Sequence, residues 1–238
     1  MYPFLIGFYQ GIDLESVKDL QIVGYREVSN SNTLLERIFK KFLEVNVMGE
    51  YTCRAIEESE YRKIILLLRT GYEFEGVKHR PNDQIATVLV LQANLGCRIG
   101  DIMALTTDSI IRDGSIWRLN ITEQKTGKKR YFIVPDPIKA FIDDYCRCAG
   151  IKSGLLFDIK SRAVHKQLRA VTGYLGISNV SCHSFRKKFA CDLYERTGHD
   201  IMTVCQALQH SSTTTSQAYI KRSDAQMESA LLANVSIA

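Results

Sequence analysis

Apolar residues recur at helical spacing through most of the chain and switch to strict alternation only in its middle. Leu34, Leu35, Ile38, Phe39 and Phe42 form a stripe that predicts a helix over 33–47. The polar cluster Ser29-Asn-Ser-Asn32 stands where its cap belongs. Residues 1–32 hold no sustained period and are punctuated by Gly7, Gly11 and Gly24. A break at Met48-Gly-Glu50 separates a short N-terminal segment, 1–50, from a main domain, 51–238. There Ile64, Ile65, Leu67 and Leu68 supply the next stripe, behind the acidic first turn Glu57-Glu-Ser-Glu60 that a helix dipole favours. Residues 71–81 read as a loop. Asn82-Asp83 then opens a helix whose run from Ile85 to Leu95 is apolar nearly all round, as a central helix is, and Gly96 is its C-cap.

The period changes over Ser115–Thr122 and Arg130–Val134, where apolar and polar residues alternate on either side of Lys125-Thr-Gly-Lys128. This predicts a β-hairpin with a basic turn, joined by a third short strand near Ile110 and closed by Asp113-Gly114. Pro135 and Pro137 end it, and helical patterns fill 137–148, 161–175, 183–197 and 200–208, with a tail helix from about 224. The apolar stripe of that tail, Met227, Ala230, Leu231 and Val235, suits folding back on its own core or docking onto a neighbouring protomer. The fold class expected is mainly α with a small antiparallel β-sheet.

Composition changes this picture little. Apolar residues make up 45% of the 238 and charged residues 24%, ordinary values for a globular protein with a real core. No apolar run reaches the roughly 20 residues a membrane span needs, and the opening stretch lacks a basic n-region and a cleavage site. A cytoplasmic protein is expected. The seven cysteines are odd in number and lack paired C-x-x-C spacing, so neither a disulfide framework nor a structural metal is expected. A net charge of +5 is compatible with a polyanionic partner and does not by itself require one.

Five short segments carry candidate chemistry. In Leu95-Gly-Cys-Arg98-Ile-Gly-Asp101 an arginine follows a helix-ending glycine at the start of the next helix, where backbone N–H groups favour an anion. Asp101 is spaced to hold that guanidinium. The turn Gln124-Lys125-Thr-Gly-Lys128-Lys129-Arg130 offers cations to phosphates. His183-Ser-Phe-Arg186, followed by Lys187 and Lys188, sets an imidazole and a guanidinium on one helix face. His210 stands in Leu208-Gln-His-Ser-Ser, and Tyr219 follows it by nine residues. Each feature alone has an ordinary reading as an ion pair, a solvated turn or a half-buried tyrosine.

Taken together, and in this order, these segments resemble the tyrosine recombinases, or phage integrases, from about residue 54 to the tail. The resemblance implies their catalytic-domain fold and a catalytic set of Arg98, Lys125, His183, Arg186, His210 and Tyr219, with Tyr219 the nucleophile. Lys128, Lys129, Arg130, Lys187 and Lys188 are then expected to bind DNA. Cleavage would pass through a 3′-phosphotyrosyl link without metal or other cofactor, on double-stranded DNA, within a homo-tetramer on paired sites, with the C-terminal helix exchanged between protomers. Where the family usually has glycine before the second histidine, Gln209 stands. Many members carry a DNA-clamping domain of about a hundred residues where some fifty stand here, which leaves a reduced clamp, a fragment or a segment for protomer contact. Three functions fit: a recombinase or integrase of a mobile element, a type IB topoisomerase-like or hairpin-resolving strand transferase, and a non-catalytic DNA-binding regulator.

Overall fold

The computed structural model describes residues 53–220. The helix expected over 33–47 and the tail helix from about 224 lie outside the described residues. Helix α1 (Glu58–Thr70) begins where the Glu57 N–H donates to the Glu60 carboxylate at 3.1 Å. Glu60 also receives the Arg54 guanidinium at 2.6 and 2.8 Å. Ile64, Ile65 and Leu68 form its buried stripe, as the spacing predicts.

Residues 71–81 depart from the loop expected of them. Strands β1 (Tyr72–Phe74) and β2 (Val77–His79) pair antiparallel about Glu75 and Gly76, both at positive φ (50° and 73°). Three-residue strands are too short for an alternating pattern to register, and aromatic contacts hold this hairpin in place. Tyr72 stacks on His79 at 4.5 Å, and Tyr72 and Phe74 both pack on Tyr174.

Helix α2 (Asp83–Leu95) is the centre of the domain, with nine of its 13 residues buried. The Asn82 side chain caps it by accepting the Ile85 N–H at 3.0 Å. Gly96 ends it in the left-handed conformation at φ 60°. A short helix α3 (Ile99–Met103) follows, then a single 3-10 turn and the three-stranded antiparallel sheet β3 (Ile110–Asp113), β4 (Ile116–Thr122) and β5 (Lys129–Val134). In the β4–β5 register Leu119 faces Phe132 and Trp117 faces Val134, so the apolar phase of both strands meets the core.

The helices expected next form over α4 (Asp136–Ala149), α5 (Ser161–Tyr174), α6 (Cys182–Arg196) and α7 (Ile201–Leu208). A further short helix, α8 (Thr213–Gln217), capped by Ser212, lies between His210 and Tyr219. Helix α6 packs along α2 and buries Phe185 completely. Its C-terminal half joins α7 around Ala190, Val204 and Leu208, and Phe189, Leu193 and Tyr219 lean on that second cluster. Among the described residues no helix is long and apolar enough to cross a membrane.

The junction of α2 and α6 is tightly packed at Gly96. A Cβ at Gly96 would lie 2.3 Å from the Phe189 ring, in a backbone conformation that L side chains avoid. Gly96→Ala is therefore expected to destabilise the protein by about 2–4 kcal/mol, combining left-handed strain with overpacking. Thermal melting against wild type measures this, and an unchanged midpoint would contradict it.

Candidate active site

Arg98 follows the fully buried Cys97 and is the N-cap residue of α3. Its Nη1 donates to Glu123 Oε2 at 2.5 Å. Asp101, expected to hold this guanidinium, instead accepts the Gln124 backbone N–H at 2.9 Å and so anchors the β4–β5 turn. The holding residue is Glu123, which the sequence reading missed. It lies at the end of β4, where the alternation gives way to the basic turn, and a lone acid there was the available signal.

The Glu123 side chain is fully buried. Its Oε1 accepts from Arg130 Nη1 at 3.2 Å and its Oε2 from Thr126 Oγ1 at 2.7 Å. Burial pushes its carboxyl upward, but the hydrogen bonds from Thr126 and Arg98, with the charges of Arg98 and Arg130, hold it below the usual range. Glu123 therefore stays ionised and balances part of the positive charge around it.

Arg130 and Lys188 correct two expectations of DNA contact. Arg130 is 2% exposed, and its Nη2 donates to Leu95 O at 2.9 Å and Ala207 O at 2.7 Å. The cause is register, since Arg130 shares the inward phase of β5 with Phe132 and Val134. Lys188 is buried as well, with its ammonium 2.8 Å from Asp192 and 2.9 Å from Glu58. Both cations serve the interior. Lys128 and Lys129 are exposed on the hairpin. Lys187 donates to the Cys53 carbonyl and lies 5.4 Å from the centre of the Tyr219 ring.

Helix α6 starts at Ser181, whose hydroxyl accepts the His183 N–H at 3.2 Å. One turn on, Arg186 is 1% exposed. Its Nη1 donates to Gly96 O at 2.7 Å and its Nη2 to Leu208 O at 2.9 Å, with His210 Nε2 3.4 Å away. Burial, and the positive charge of Arg98 beside it, lower its pKa. His210 follows the left-handed C-cap of α7, and its Nδ1 lies 2.9 Å from Ser216 Oγ. Because a guanidinium only donates, Nε2 accepts and Nδ1–H is left to donate to Ser216, a tautomer assigned from the network.

Both imidazoles are pushed down to about 4. Burial is the main cause, and the charge of Arg186 adds to it at each. They are neutral at pH 7. Tyr219 stands edge-on to both, with ring centres 5.0 Å apart in each case. Burial raises its phenol, while Arg186 and Arg98 pull it back toward the ionised form. Lys125 is exposed on its turn and lies close enough for its charge to depress His183 further. The fold thus gathers Arg98, His183, Arg186, His210 and Tyr219 at one place, with the Lys125 turn alongside. Among the described residues no cluster of three or more histidine, cysteine or acidic side chains is placed to hold a metal.

The family model described as Phage integrase family matches residues 54–226. The probable integrase/recombinase YoeC of Bacillus subtilis (strain 168) is 27% identical over 139 residues, covering 56% of this chain and 75% of that protein. The tyrosine recombinase XerC of Methylobacterium sp. (strain 4-46) is 31% identical over 156 residues, 61% of this chain and 48% of that one. Among solved structures, the XerH site-specific recombinase bound to palindromic difH substrate, a post-cleavage complex, superposes with a TM-score of 0.58 at 19% identity. It covers 74% of this chain and 51% of XerH. XerA recombinase superposes with a TM-score of 0.57 at 17% identity, over 94% of this chain and 82% of XerA. The chain spans about half the length of the XerC and XerH proteins and three-quarters or more of YoeC and XerA. At these identities the structures establish the fold, and the family match covers most of the sequence, so the chain belongs to the phage integrase family, the tyrosine recombinases.

Proposed function

We propose that this protein is a site-specific DNA recombinase or integrase, serving a mobile genetic element, that cleaves and rejoins strands through a 3′-phosphotyrosyl link on Tyr219. The observation that carries this reading is the pairing of two donor guanidiniums, Arg98 and Arg186, with a phenol flanked by two neutral imidazoles. The names of the relatives support it, as does the description of XerH bound to its DNA substrate.

Phosphodiester cleavage by a tyrosine adds negative charge to the non-bridging oxygens. The planar guanidiniums of Arg98 and Arg186 donate to those oxygens from a partly buried site. His183 takes the proton from the phenol as Tyr219 Oη bonds to phosphorus. The bond from phosphorus to the 5′-oxygen breaks, and Lys125 protonates that leaving oxygen. Attack on the phosphotyrosine by the 5′-hydroxyl of another strand reverses the sequence and frees Tyr219. His210 donates to a phosphate oxygen in this scheme, which requires a proton on Nε2. A bound phosphate favours that protonation by its negative charge. Lys128, Lys129 and Lys187 would neutralise flanking phosphates of duplex DNA. A homo-tetramer on paired sites, with exchange of the C-terminal helix, completes the proposal.

A nicked suicide duplex carrying the site should trap a covalent adduct on a denaturing gel. Tyr219→Phe should form none, and an adduct with that variant would overturn the assignment. Site-independent relaxation of supercoils would overturn the recombinase reading. Arg98→Lys keeps a cation beside Glu123 but loses the planar fork, and should slow single-turnover cleavage by at least a hundredfold, roughly 3 kcal/mol, with melting little changed. The pH profile has a definite sign. His183 must be neutral to act, so cleavage is lost as pH falls toward its pKa, about 4 in the free protein and higher with phosphate bound. His183→Ala should remove that acid limb and slow the plateau by roughly 10²–10⁴-fold.

A further inference from the structure

Helix α7 ends on a residue with an unfavourable backbone. Gln209 has φ 54° and ψ 34°, a left-handed conformation that disfavours any residue with a Cβ. The caps of α2 and α4 with the same conformation, Gly96 and Gly150, are glycines. Gln209 has a second unfavourable feature, since its Oε1 is buried without a hydrogen-bond partner. Two such features at one position, next to His210, call for a compensating role.

The other half of the amide supplies one. Gln209 Nε2 donates to the Lys129 carbonyl at 2.8 Å. Lys129 opens β5, an edge strand of its sheet, directly after the turn that carries Lys125. The two residues flanking Lys129 reach back the other way. Lys128 Nζ donates to Gln209 O at 3.2 Å and Arg130 Nη2 to Ala207 O at 2.7 Å. Residues 128–130 and 207–209 therefore clasp each other. The Lys125 turn leaves one side of the clasp and His210 the other. A glycine at 209 would keep the helix cap and the Lys128 contact but lose the bond to Lys129.

We propose that Gln209 is a positioning residue that holds the Lys125 turn in register with His210, so that proton donor and phosphate ligands address the same scissile phosphate. The proposal rests on the reading of Lys125 as the acid. A purely structural cap would predict that glycine improves the protein without further consequence. The clasp predicts that stability and chemistry separate.

The test is Gln209→Gly in the full chain, read by melting, amide hydrogen exchange and single-turnover cleavage. The substrates are an ordinary duplex and one with sulfur in place of the leaving 5′-oxygen, which departs without needing a proton. The melting midpoint should be unchanged or raised, because the left-handed strain is relieved. Exchange over residues 123–129 should rise several-fold while the core keeps its protection. The ordinary duplex should be cleaved about tenfold more slowly and the sulfur substrate at the wild-type rate. Unchanged exchange over 123–129, or equal slowing on both substrates, overturns the proposal. Lys125→Ala on the same two substrates judges the acid reading separately. Equal loss on both, or none on either, defeats that reading, while the exchange result still decides the clasp.

Discussion

The carbonyls at the C-terminal ends of two helices hold the charge on which the rest of this domain depends. Leu95 and Gly96 close α2, and Ala207 and Leu208 close α7. Between them these four carbonyls accept from Arg130 and Arg186. They are groups that a helix end leaves without internal partners, at the negative pole of its dipole. Two buried guanidiniums find there the acceptors that desolvation would otherwise deny them. Glu123 supplies the counter-charge, bonding Arg130 on one oxygen and Arg98 on the other. The candidate active site and the structural core are therefore joined through one electrostatic network.

That network sets the protonation of its neighbours. Burial first, and then positive charge packed this densely, disfavours protonation, so His183 and His210 are held neutral well above their depressed pKa values. The same field lowers the barrier to ionising Tyr219. The free site has unused capacity for negative charge, and a phosphate is the kind of group that relieves it. This is why Arg186 can point its guanidinium at backbone carbonyls and still face the phenol: its position is preorganised before substrate arrives.

Much of the fold was legible because its helices bury long periodic stripes. The central α2, the Gly96 cap and the three strands follow from patterns that survive in any context. The β1–β2 hairpin was not legible, since its strands are shorter than one full alternation and tertiary aromatic contacts hold them. Within the site, residue types at their spacings pointed to the arginines, histidines and tyrosine. They did not show that Arg130 faces inward. It follows the basic turn that carries Lys125, and only strand register buries it. Glu123 takes the part expected of Asp101 for a similar reason, because a spacing of three along a helix competes with a contact 25 residues distant. Lys188 shows the same limit in part, as Asp192 lies one turn along its own helix but its second acidic partner, Glu58, lies on another.

The central claim is that burial, reinforced by the guanidinium charge beside it, keeps both imidazoles neutral in the free enzyme, and titration of the imidazole resonances of His183 and His210 by nuclear magnetic resonance tests it most directly. Both should stay neutral through pH 6.5 and titrate near 4. Midpoints at the ordinary value of about 6.5 would contradict the account.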